Sequence, residues 1–228
     1  MIGITGIVFL IGLGALCALD TVSVLQGMVS RPIVSATLAG ALFGRTEDAI
    51  VVGAVLELFA IETMPFGASR YPEWGSAGVV AGTTYLIGGS GTAGALAVAT
   101  LAGLATALLG SLSMVWHRQF VARIATTLRD RIAAGSALAV TRLHFAGIAS
   151  DFWRGAVVTA VCLVLSLVMT PRILAVWYIP FGPSAAWPVT LGVAAAAASI
   201  FRSAHAVPRA SWFLAGGSAI GLGLVLAR

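Results

Sequence analysis

The stretch SRPIVSATLAGALFGRTEDAIVVGAVLELFAIETMPFGASRYPEWGSAGVVAG, residues 30–82, decides the fold. Its apolar pieces are short, and they are interrupted by Arg31-Pro32, Glu47-Asp48, Glu57, Glu62 and the run from Arg70 to Glu73. An ionisable group at membrane depth is unfavourable by at least about 2–3 kcal/mol unless it faces protein or a water-filled cavity. Such interruptions therefore mark the working part of a membrane protein. The pieces at 33–43, 49–61 and 78–87 fall short of the roughly 20 residues that cross a bilayer as a helix. They read as half-helices or re-entrant hairpins, the arrangement from which many transporters build a substrate site. Pro32 suits the first position of a helix and pushes Arg31 out of helical geometry, so Arg31 is predicted at a helix start.

Outward from this stretch, composition supports the same reading. Of 228 residues, 59% are hydrophobic and only 9% charged, with mean hydropathy +1.02, against about 25% charged in soluble domains. Long apolar runs at 2–19, 95–115, 155–169, 185–200 and 211–227 are the expected full spans. The first is expected to be retained, because it lacks a basic start and Leu16 is a poor fit before a lipidated Cys17. The fold expected is all-α, a polytopic membrane helical bundle forming one domain over 1–228, with broken helices in its N-terminal third. Cys17 and Cys162 sit apart in apolar runs and read as buried thiols.

All thirteen basic residues are arginine, and six of them (118, 123, 129, 131, 142 and 154) lie between His117 and Arg154. By the positive-inside rule, residues 117–154 are expected to be cytoplasmic. Val121, Ile124, Leu128 and Ile132 alternate at helical spacing with Arg123, Arg129, Asp130 and Arg131, predicting an amphipathic interfacial helix. Residues 171–188, with Trp177, Tyr178 and Trp187 at the belt position, are expected to form an external loop. A net charge of +5 spread this way gives no nucleic-acid footprint.

Gly89-Ser-Gly-Thr-Ala-Gly94 spells the GxGxxG of dinucleotide-binding folds, but it joins two membrane segments and no acid follows before Asp130. It reads as a turn. His117, His144 and His205 show no metal-ligand spacing, and no nucleophile elbow, phosphate-binding loop or kinase signature is present. Neither catalytic residue, metal nor cofactor is expected in this chain. Gln26, Arg31, Glu57 and Glu62 supply the donors and acceptors that a polyol needs within an apolar frame. The alternative for Glu57 is a structural pairing with Arg31 or capping of a broken helix. Arg45, Glu47 and Asp48, after Gly44, read as a solvated turn. Small-residue pairs at Gly40 and Gly44, Gly78 and Gly82, and Gly217 and Gly221 would permit close helix approach.

The order and spacing of Arg31-Pro-Ile-Val-Ser-Ala-Thr37-Leu-Ala-Gly40, Gly53-Ala-Val-Leu-Glu57 and Gly67-Ala-Ser-Arg-Tyr-Pro72-Glu73 resemble the membrane component C (enzyme IIC) of the mannose/fructose/sorbose class of the bacterial phosphoenolpyruvate-dependent sugar phosphotransferase system. The motif-bearing part is 25–82. The resemblance implies a multi-pass inner-membrane permease subunit that moves a hexose or hexose derivative inward. Phosphorylation there is performed by soluble IIA and IIB components, in a hetero-oligomer with membrane component IID. It adds Gly67 and Glu73 to Gln26, Arg31, Glu57 and Glu62 as candidate substrate-binding residues. Where mannose-specific members carry an acidic, Gln- and His-bearing segment before the Arg-Pro pair, this chain has Leu25-Gln-Gly-Met-Val-Ser30. The rival expectation is an uncoupled channel or regulatory membrane subunit that keeps the fold.

Overall fold

A computed structural model describes residues 3–24, 26–61, 71–204 and 209–226. These form eight helices: α1 (Ile4–Val22), α2 (Pro32–Ala41), α3 (Thr46–Ala60), α4 (Trp74–Ile87), α5 (Ala95–Ala133), α6 (Ala137–Ala175), α7 (Phe181–Ala204) and α8 (Ala210–Leu226). Four of them, α1, α5, α6 and α7, are long and apolar enough to cross a membrane. The chain is a multi-pass membrane protein. α8 covers the last expected span with 17 residues.

The short helices fall where the interruptions placed them. α2, α3 and α4 have 10, 15 and 14 residues. Pro32 opens α2, and Arg31 before it is extended at φ −67°, ψ 135°. α4 is the centre of the bundle, buried without a break from Gly75 to Tyr85 and packed by α1, α2, α3, α5 and α6. A helix can be enclosed on all sides only if its side chains are small. A Cβ on Gly78 would lie 2.0 Å from Ser35 Oγ and 2.8 Å from the Pro32 carbonyl oxygen, so α2 rests directly on the α4 backbone. Thr83 and Thr84 hold their buried hydroxyls on the carbonyls of Val79 and Val80, at 2.8 and 2.7 Å, so these two donors are satisfied within α4 itself. Gly82 and Gly40 are likewise in close contact, with α2 and α3, whereas Gly44 and Gly217 have open space around them.

α5 and α6 each run 39 residues, about 58 Å at 1.5 Å per residue, nearly twice a hydrocarbon core of about 30 Å. They form an antiparallel hairpin that turns at 134–136, where Gly135 takes φ +79° and the Ser136 side chain accepts from the Ala139 N–H. The expected separate amphipathic helix is therefore the far half of α5. Its apolar residues Val121, Ile124, Leu128 and Ile132 are half-buried, and Arg123, Arg129, Asp130 and Arg131 are exposed. The helical face was read correctly, but the apolar stripe is served by the second arm of the hairpin, so no break in α5 is needed.

Two other expectations change. The loop expected at 171–188 shrinks to 176–180, because Pro171 and Pro188 lie inside α6 and α7. A proline in a membrane helix is tolerated where neighbouring groups satisfy the loosened ladder. Glu47 and Asp48 are not in a turn: they form the first turn of α3, with Arg45 at its cap. Carboxylates are favoured at a helix N-terminus. The Gly89-to-Gly94 run is, as expected, a turn: it joins α4 to α5, with positive φ at Gly89, Gly91 and Gly94.

Candidate substrate cleft

Three chain ends converge beside α4: the last turn of α1, the approach to α2, and residues 71–74 leading into α4. Between them lies a small polar cleft of about 100 Å³, lined by Thr21, Ser30, Arg31, Tyr71, Trp74 and two prolines, Pro32 and Pro72. Its chemistry is mixed in a useful way. Hydroxyls and a guanidinium face a half-buried indole, the pairing of hydrogen-bond donors with an aromatic plane that suits a ring bearing hydroxyls on its edge and C–H groups on its face.

Each wall is fixed by an acid. Asp20, 5% exposed, accepts from the backbone N–H of Gly27 at 2.6 Å and of Ser30 at 2.9 Å, folding the 26–30 connector back onto α1. Glu57 of α3 pairs with Arg31 and also accepts from the Ile33 N–H at 3.2 Å. It thus caps α2, whose own N-cap side chain makes no capping bond. Glu73, 1% exposed, points away from the cleft. It pairs with Arg154 of α6, accepts from Ser76 Oγ at 2.9 Å, and its backbone N–H donates to the Ala107 carbonyl at 3.1 Å. Arg154 Nε pairs with Asp151 Oδ1 at 2.9 Å, and Asp151 Oδ2 accepts from Ser23 Oγ at 2.5 Å.

Of the residues expected at the site, Arg31 lines the cleft and Glu57 stands behind it as its partner. Gln26 is exposed in the connector at φ +50°, away from the cleft lining. Glu73 belongs to the buried ionic cluster. Glu62 and Gly67 lie outside the described residues. Sequence reasoning passed over Asp20, Asp151 and Arg154. The signal for Asp20 was available, since it is an acid closing an apolar run much as Glu57 interrupts one. Arg154 was concealed by its five neighbours in the polar interval, which are the arginines of the projecting hairpin.

A bundle of crossing helices with short, interrupted ones meeting at a polar cleft defines a membrane transport protein, and the comparisons agree. The model of the family described as "PTS system sorbose-specific IIC component" matches residues 5–180, and the chain belongs to that family, a sugar-transporting membrane subunit of the phosphotransferase system. Two solved structures share the fold. One, described only as a membrane protein, is 17% identical with TM-score 0.71, covering 100% of this chain and 94% of its own. The other, the mannose transporter ManYZ in complex with microcin E492, is 16% identical with TM-score 0.62, covering 99% of this chain and 94% of its own. No curated protein matches the chain in sequence.

Proposed function

We propose that the chain carries a hexose or hexose derivative inward across a bacterial inner membrane, taking it up in the cleft between Arg31 and Trp74. Soluble IIA and IIB components phosphorylate it, and a IID membrane subunit completes the permease. The observation that carries this reading is the convergence of the starts of two short helices, α2 and α4, with the end of α1 on one polar cleft. The Arg31–Glu57 pair favours a partner subunit: its side chains remain 37% and 21% exposed at the edge of an apolar bundle, where a second membrane protein would cover them.

The cleft is tested by Trp74→Ala in cells that express the whole system. Labelled sorbose and labelled mannose are offered separately. Loss of the indole should raise the KM for the transported sugar about tenfold, as truncating a buried aromatic anchor does. An unchanged KM removes the cleft from the transport path.

Orientation has its own test. The 134–136 turn and the 176–180 loop stand at opposite ends of α6, so they face opposite sides. Arginine bias puts the first in the cytoplasm. A cysteine in place of the exposed Ala134 should be protected from an impermeant thiol reagent, and one in place of Tyr178, 91% exposed, should react. The reverse pattern inverts the protein and with it the inward direction. Ser184 would be an uninformative probe, being 3% exposed and bonded to the Gly94 N–H.

A further inference from the structure

We propose that Arg154 and Asp151, at the base of the projecting hairpin, are positioning residues for sugar binding: they set the separation of two walls of the cleft without touching the sugar. The proposal rests on the cleft being the sugar site. Its basis is connectivity. Glu73 stands between two cleft-lining residues, Pro72 and Trp74, and its carboxylate is held by Arg154. Ser23 caps the end of α1, two residues beyond cleft-lining Thr21, and its hydroxyl is held by Asp151. Asp151 and Arg154 are themselves paired, one turn apart on α6. One ion pair on α6 therefore grips both the α1 wall and the 71–74 wall.

The same wall is tied to α5. Arg118 stacks over the Tyr71 ring at 5.7 Å, and the Glu73 N–H meets the Ala107 carbonyl. Tyr71 and Glu73 are thus both held by the two arms of the hairpin, whose outer halves leave the apolar zone. A force applied to those outer halves has a direct route to the cleft.

The cluster holds two carboxylates and one guanidinium, and all three side chains are at most 7% exposed. Glu73→Gln removes the unmatched negative charge. Arg154 keeps Asp151 at 2.9 Å, Ser113 Oγ at 3.0 Å and the Gly110 carbonyl at 3.4 Å. The near-isosteric amide still accepts from Ser76. Stability should therefore hold or rise, while the grip on 71–74 weakens from an ion pair to a neutral contact. That separation is what a purely structural role would not produce.

The test uses the permease purified with its membrane partner. Binding of labelled sorbose and labelled mannose, thermal stability, and hydrogen exchange over 71–76 are measured for parent, Glu73→Gln and Trp74→Ala. For Glu73→Gln the expected result is an unchanged or higher melting temperature, faster exchange over 71–76, and sugar affinity about tenfold weaker, the scale of effect seen when a residue acts through a network. Parental affinity in Glu73→Gln overturns the proposal, as does a fall in stability with parental affinity in the folded fraction. Parental affinity in Trp74→Ala instead overturns the cleft itself, so the two failures are distinct.

Discussion

Methionine in place of Arg154 should destabilise the protein by about 3–5 kcal/mol, the range for removing one partner of a buried ion pair, and leave little folded material at 37 °C. Methionine approximates the volume and apolar stem of the arginine, so packing loss is small. The effect is electrostatic. Glu73 and Asp151 are each 1% exposed, and without Arg154 both carboxylates are left in an apolar setting with only hydroxyl partners, Ser76 and Ser23. Detergent-solubilised protein should lose about 6–20 °C of melting temperature at neutral pH, at 2–4 °C per kcal/mol for a chain of this size. The triple variant Glu73→Gln, Asp151→Asn, Arg154→Met should recover most of it, since replacing all the charges of a buried cluster is often neutral or stabilising. A single Arg154→Met variant as stable as its parent would mean that the cluster is not an ion-pair node.

That result bears on how function is written in the chain. The short helices α2, α3 and α4 were legible because proline, glycine and charge interrupt an apolar text at intervals too small for a span. Pro32 in particular fixes its neighbours through local sterics, which no tertiary contact needs to override. The long hairpin was half legible. Periodicity exposed its apolar stripe, yet hydropathy reads where the apolar zone ends and not where a helix ends, so α5 continues through Val115 unbroken. Pro171 and Pro188 misled for the opposite reason, because inside a membrane bundle neighbours can satisfy what a proline disrupts.

The cleft divides the same way. Arg31 and Glu57 lie 26 positions apart, and their pairing could be weighed as one option because both stood alone in apolar sequence. Glu73 and Arg154 are separated by 81 positions, and nothing local distinguishes Arg154 from the hairpin arginines around it. Only the helix packing selects it. Long-range ion pairs are where single-sequence reasoning runs out, and in this protein they hold the walls of the cleft.

Arg31 and Glu57 provide the second large effect. Arg31→Gln should weaken sugar binding by about 2 kcal/mol, roughly thirtyfold, the scale for losing a hydrogen bond from a charged donor. Glu57→Gln should weaken it by less. Glu57 stands behind the guanidinium rather than in the cleft lining, with one oxygen on Arg31 and the other on the Ile33 N–H at 3.2 Å. Its amide analogue can keep the cap on α2 but holds Arg31 less firmly. Stability should change by under about 1 kcal/mol, because a pair this exposed is screened. The double variant decides between the two roles open to Glu57. If Glu57 acts through Arg31, then Arg31→Gln with Glu57→Gln should bind sugar no more weakly than Arg31→Gln alone, since the partner it orients is already gone. If the two losses add, Glu57 must contact the sugar itself, and this carboxylate of α3 would be a ligand as well as a cap.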